Sequence, residues 1–191
     1  MIYPIRSFIR SLILPIKKID QVIPISGDIL DIGCGSGSAT IFFALSGPLR
    51  QITGSDIDSN NIIQAQKITR NIKNIKFISQ SLYSPNAMYD AVVAIDLLHH
   101  LSPSNLNYFF DNIKQIIKPG GLLIIKEMNT SPKYKFIINL IHDKIIYNKL
   151  PTTYLSADDL RQTLTNLNFQ TIDIQDISNI FYAHYLCVAK I

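Results

Sequence analysis

An apolar strand that runs into a loop with glycine at every second position, and from there into a helix, leaves few folds open to a chain. Ile29-Leu30-Asp31-Ile32 is followed by Gly33-Cys34-Gly35-Ser36-Gly37, and Ser38 opens a helical stretch. Glycine adopts backbone conformations closed to other residues and lets a ligand touch the main chain. At the C-terminal edge of a first buried strand, such a loop lies where open α/β sheets bind ligands. The spacing is G-x-G-x-G. A dinucleotide fingerprint, G-x-G-x-x-G, would need glycine where Ser38 stands, and a Walker A loop would need Gly-Lys-Ser/Thr.

The rest of the chain fits the same architecture. Short apolar runs alternate with longer amphipathic ones, the pattern of βα units around a parallel sheet. The expected strands are Asp28–Ile32, Gln51–Ser55, Ile75–Ser79, Ala91–Ile95 and Leu122–Lys126. Most are continuous apolar runs, as strands buried on both faces require. Helices are expected over Ser38–Ser46, Asn60–Ile72 and Ser104–Ile117, the last stopped by Lys118-Pro119-Gly120-Gly121. Ser156-Ala157-Asp158-Asp159 reads as a capping box opening a helix to about Leu167. Two strands follow, Gln170–Ile177 and Tyr182–Lys190. The short link Ser178–Phe181 between them permits only an antiparallel hairpin. The fold class is therefore α/β: a Rossmann-like, doubly wound sheet of seven strands, mostly parallel, with an antiparallel C-terminal hairpin. The reading is of one domain of 191 residues, made of an N-terminal cap (1–27), a core (28–126), an insertion or lid (132–151) and a C-terminal helix and hairpin (156–191).

Composition narrows the function. Hydrophobic residues are 47% and charged residues 17%, which excludes disorder. Two cysteines, Cys34 and Cys187, form neither a disulfide framework nor a zinc site, and no metal is expected. A net charge of +4 does not mark a nucleic-acid binder. The basic, apolar N-terminus has too short an unbroken apolar run for a signal peptide, and no stretch approaches a membrane span. The sequence predicts a soluble, cytoplasmic protein.

A second signal supports the first. Asp56 in Gly54-Ser55-Asp56-Ile57-Asp58 closes the second strand, about 20 residues beyond the glycine loop, where a carboxylate accepts hydrogen bonds from ribose hydroxyls. Asp58 competes for that role or caps the following helix. With these residues in view, the chain resembles class I S-adenosylmethionine-dependent methyltransferases. Four stretches carry the resemblance: Leu30–Gly37, Gly54–Asp58, Tyr89–Leu101 (YDAVVAIDLLHHL) and Ile117–Ile125 (IKPGGLLII). It implies S-adenosylmethionine as cofactor. Asp31, Gly33, Cys34, Gly35 and Gly37 match the loop along its methionine part. Asp56 matches the ribose acid and Ile57 the residue on adenine. Ser81, with Leu82 beside it, stands where the family often has an aspartate near the adenine amino group. Asp96, at the end of the fourth strand, is expected to face the reaction pocket and to touch the cofactor.

Methyl transfer needs in-line placement and exclusion of water, and a base only where the acceptor loses a proton. His99, His100 and Asp96 are the candidates for that role, and His142 is a further one. The Leu-His-His-Leu run also reads as a packing element. Neither cysteine has a proline before it, so a covalent cytosine-type mechanism is not indicated. Ala94-Ile95-Asp96-Leu97-Leu98 lacks the Asn/Asp-Pro-Pro-Tyr/Phe pattern of nucleic-acid amino methyltransferases. The expected acceptor is a small, lipophilic molecule. The 5–22 and 132–151 segments mix cations with large apolar residues, which suits a lid, a peripheral membrane contact or an apolar anionic acceptor. The alternatives are an RNA or protein methyltransferase, and a non-catalytic cofactor-binding regulator. Glycine spacing and strand count argue against a nicotinamide oxidoreductase.

Overall fold

The computed structural model describes residues 15–80, 88–147 and 153–191. In chain order the elements are α1 (Ile16–Val22), β1 (Ser26–Ile32), α2 (Ser38–Ser46), β2 (Leu49–Asp56), α3 (Ser59–Ile68), β3 (Ile75–Ser79) and β4 (Tyr89–Ile95). A short 3-10 turn (Leu98–His100) follows, then α4 (Pro103–Ile116), β5 (Ile117–Met128), α5 (Lys133–Tyr147), α6 (Ala157–Asn166), β6 (Gln170–Asp176) and β7 (His184–Lys190). The strands form a seven-stranded sheet in the order β3-β2-β1-β4-β5-β7-β6. β1 to β5 pair in parallel, and β7 inserts antiparallel between β5 and β6. The expected fold class is thus the observed one. The order reverses between β1 and β4, and this switch point leaves a crevice at the C-terminal edge of the sheet.

Both faces of the sheet are covered. Ile19, Phe43 and Ala44 from α1 and α2 pack on Ile29, Val93, Ile95 and Ile124. Phe109, Phe110, Ile113, Leu160 and Leu164 from α4 and α6 pack on Leu30, Val92, Leu123 and Ile125. Along β5, therefore, even-numbered residues face α1 and α2, and odd-numbered ones face α4 and α6, as a period of two demands. Arg50, on β2, anchors α1 to this body. It donates to Asp20 Oδ1 and to the carbonyls of Pro24, Ile23 and Phe43.

Several boundaries differ from expectation, each for a local reason. The second helix of the core ends at Ile68, because Thr69 Oγ1 turns back onto the Ala65 carbonyl. β5 begins at Ile117, because Pro119-Gly120-Gly121 is accommodated as an irregularity in the β4–β5 pairing and does not separate helix from strand. β7 begins at His184, where Asn179 Oδ1 accepts from Phe181 and Tyr182 and closes the preceding turn. The capping box is present, with Ser156 and Asp159 bonded reciprocally. We expect Ser156→Ala to lower stability by about 1 kcal/mol, read as a shifted urea midpoint at unchanged m.

Candidate active site

The glycine loop leaves β1 with left-handed backbone at Gly33 (φ 70°), Gly35 (φ 55°) and Gly37 (φ 81°). Space is short at two of these positions as well. A Cβ on Gly33 would stand 2.8 Å from Leu97, and one on Gly37 2.7 Å from Phe77. The loop is tied to β2 from below, because the Gly33 and Cys34 N–H groups donate to the Ser55 carbonyl at 2.8 and 3.0 Å. Asp31 is buried beneath it and accepts from Thr40 Oγ1 at 2.6 Å. Asp31 therefore shapes the turn from within. Cys34 is buried too, and its thiol is pushed up strongly, by burial first and then by Asp31 and Asp56. Burial likewise pushes Cys187 up to about 12. Neither sulfur is an activated nucleophile.

Asp56 ends β2 with its carboxylate over the loop. Oδ2 accepts from the Gly35 N–H and Oδ1 from the Asp58 N–H, both at 2.8 Å. A carboxylate has about four lone-pair sites, so each oxygen retains capacity for one further donor. Two such acceptors at the crevice fit a vicinal diol such as a ribose. Asp58 is the cap of α3, accepting from the Asn60 N–H. Ile57 is 76% exposed, an apolar side chain presented next to that carboxylate. These residues fit a nucleoside with an amino-acid tail: a diol on Asp56, an apolar ring on Ile57, and a chain along the glycine backbone. Ser81 and Leu82 lie outside the described residues.

Across the crevice, Asp96, a non-glycine residue with φ 51°, follows the last residue of β4. Asp96 accepts from Lys126 Nζ at 2.6 Å, and the lysine is almost wholly buried. Desolvation pushes the Asp96 carboxyl up. The charges of Lys126, His184 and His99, with the Lys126 hydrogen bond, outweigh that and hold it well below the usual carboxylate range. On the opposite face of β5, Glu127 is buried. Its Oε1 accepts from the Leu98 N–H, and its Oε2 lies 2.6 Å from His99 Nδ1. His99 is buried and His100 exposed, with ring centroids 4.1 Å apart. One ligand atom from each of Asp96, His99 and Glu127 falls within 4.8 Å of the others. The ammonium of Lys126 engages one oxygen of Asp96, and the Leu98 N–H and His99 engage the two oxygens of Glu127.

The structure thus brings Asp96 and His99 together and ties each to a β5 residue, Lys126 and Glu127, that sequence reasoning missed. His142 falls in α5, and its side chain lies outside the described residues. A cleft of about 460 Å³ at the other edge of the sheet carries none of these groups, and Lys118 there is engaged by Asp28 and Asp90.

A parallel sheet reversed at a glycine loop, with an acid after β2 and an antiparallel last hairpin, defines the class I methyltransferase fold. Solved structures agree. A Pyrococcus horikoshii protein superposes with a TM-score of 0.72 at 19% identity, covering 91% of this chain and 86% of its own. The magnesium protoporphyrin IX methyltransferase of Synechocystis with bound S-adenosylhomocysteine gives 0.69 at 20%, covering 92% and 82%. The methyltransferase domain family model matches residues 5–174, so the chain belongs to that family; by family and fold it is a class I S-adenosylmethionine-dependent methyltransferase. Curated relatives include a ubiquinone biosynthesis O-methyltransferase of Rickettsia prowazekii, 27% identical over 164 residues (81% of this chain, 62% of that one). A mitochondrial protein of the same description from Dictyostelium discoideum is 24% identical over 176 residues (81% and 54%). The chain spans little more than half to about three fifths of the length of these relatives.

Proposed function

We propose that this chain transfers a methyl group from S-adenosylmethionine to an oxygen of a small, lipophilic acceptor. The observation that carries the reading is the placement of Asp56 and the glycine loop on one side of the switch point, with Asp96 on the other. A cofactor held by the first would have its reactive end directed at the second. When bound, the cofactor supplies a methyl electrophile on a sulfonium. The chain's own residues orient and exclude water. The loop backbone and Asp56 hold one reactant, and Asp96 and the His99 turn border the other. Asp96 stands ready to accept a hydrogen bond from the acceptor's hydroxyl. The O-methyltransferase descriptions of the curated relatives favour oxygen over carbon or nitrogen.

Calorimetry with S-adenosylhomocysteine tests the cofactor half. Transfer of a radiolabelled methyl group to a panel of lipophilic phenols and acids tests the acceptor half. Binding without turnover on any member would favour the regulator reading. Transfer to tRNA or rRNA, with steep salt dependence, would favour the RNA reading.

A specific surface supports a membrane-side acceptor. Tyr134, Ile137 and Ile141 form an exposed stripe on α5, with Lys133 and Lys144 exposed at its two ends. Ile180 and Phe181 are exposed on the neighbouring turn, which Lys135 Nζ holds to α5 through the Asn179 carbonyl. No helix among the described residues is long and apolar enough to cross a membrane. The proposal is peripheral contact of an otherwise cytoplasmic protein. We expect co-flotation with anionic vesicles at low salt, and a loss of about tenfold in bound fraction for Ile137→Asp with Ile141→Asp. No flotation of the wild type would remove this reading.

A further inference from the structure

Lys126 is a buried cation at the end of a central strand, where the period of two places it on the same face as Ile124. Its side chain is 1% exposed, whereas that of its counterion, Asp96, is 33% exposed. Among the described residues the ammonium donates one hydrogen bond, to Asp96 Oδ1, and no described residue donates to Asp96 Oδ2. The pair is therefore asymmetric. The cation is sealed in the sheet, and the anion is a third exposed, with Oδ2 taking no hydrogen bond from a described residue. The left-handed backbone at Asp96 produces this arrangement, because continued strand geometry would send residue 96 to the face opposite Ile95 and Lys126.

A buried ammonium whose counterion is lost is an uncompensated charge, and the cost of that is several kcal/mol. Protonating Asp96 would create that situation, so Lys126 opposes it. The other ionisable groups near Asp96 act in the same sense or are already matched. His184 on β7 and His99 on the 3-10 turn lower its charge cost, and Glu127 is bonded to His99 and to the Leu98 N–H.

We propose that Lys126 is a positioning residue which fixes Asp96 as a permanently ionised hydrogen-bond acceptor, so that the acceptor pocket selects a hydroxyl, which brings a donor, and rejects a carboxylate, which brings a second negative charge. The inference rests on the reading of Asp96 as facing the methyl acceptor. In the reaction it supports, the O–CH₃ bond forms as the S–CH₃ bond breaks and its electron pair stays on sulfur. Asp96 orients the hydroxyl by accepting its hydrogen bond, and the proton is released to water as the bond to the methyl group forms.

The test uses a matched pair of probes with the same apolar tail, para-octylphenol and para-octylbenzoate, titrated into the protein saturated with S-adenosylhomocysteine. The wild type is expected to bind the phenol at least about tenfold more tightly than the benzoate near neutral pH. In Lys126→Met, Asp96 is freed to take up a proton in mild acid. The phenol-to-benzoate ratio is then expected to fall, between about pH 7 and 5, by roughly tenfold more than in the wild type. His99 and His184 are present in both proteins, so a pH dependence that comes from them alone appears in both. Retained S-adenosylhomocysteine affinity in Lys126→Met shows that the variant is folded. Equal or tighter binding of the benzoate by the wild type overturns the proposal, as does binding of neither probe or a variant ratio that follows the wild type across pH. Failure of the wild type to bind S-adenosylhomocysteine would instead overturn the methyl-transfer reading beneath it.

Discussion

Asp56→Ala is expected to weaken S-adenosylhomocysteine binding at least tenfold and up to about a hundredfold, or ~1.4–2.8 kcal/mol. Two losses combine. A hydrogen bond to an ionised carboxylate contributes about 1.5–3 kcal/mol, more than a neutral one, and water at this partly exposed site returns a good part of what the diol loses. The same carboxylate also fixes the loop, since Oδ2 accepts from the Gly35 N–H and Oδ1 from the Asp58 N–H. Removing it leaves both N–H groups to water and releases the middle of the loop. Asp56→Asn retains one carbonyl oxygen and is expected to fall between. Asp56 is only partly buried, so thermal unfolding should move little and the effect should appear in affinity. Calorimetry on the three proteins decides it. Unchanged affinity in Asp56→Ala would show that no diol sits on this residue.

That result would concern the half of the site that was legible in the sequence. β1, the glycine loop and Asp56 are consecutive or bounded by one helix, and their chemistry is written in residue types: alternate glycines, then an acid closing an apolar run. The hairpin was legible because so short a connection admits one pairing. The acceptor side was not. Lys126 lies 30 positions from Asp96, and Glu127 lies 28 from His99. A Lys-Glu pair closing an apolar strand reads as the place where a strand reaches water. Here both side chains are buried, on opposite faces, one under Asp96 and one under the His99 turn. The missing information is long-range register and one left-handed residue, neither of which a local pattern encodes. One usable signal was there: β5 is a central strand that keeps two charged residues beside an acid and two histidines. Charges that are nearly buried at such a position need partners, and the residues ending the adjacent strand were the available ones.

Glu127→Ala is expected to cost about 3–5 kcal/mol of folding stability. The carboxylate is 3% exposed and receives the Leu98 N–H at 2.6 Å, His99 Nδ1 at 2.6 Å and the Met128 N–H at 3.3 Å. Leu98 and His99 are themselves buried. Truncation leaves a backbone donor and a ring nitrogen without this partner in a space closed to bulk water, and each buried polar group so stranded costs about 1–3 kcal/mol. Glu127→Gln has the same shape. Its amide oxygen can accept from Leu98 while its NH₂ donates to a neutral imidazole, so it should lose only about 1–2 kcal/mol, the difference between charged and neutral bonds. Urea unfolding of the three proteins separates these cases. The consequence reaches the site, because the turn Leu98–His100 begins two residues after Asp96 and is held to β5 through Glu127. If Glu127→Ala unfolded within about 1 kcal/mol of the wild type, water would be replacing the carboxylate. The turn would then be held by its own backbone, and Glu127 would have no part in setting where His99 stands.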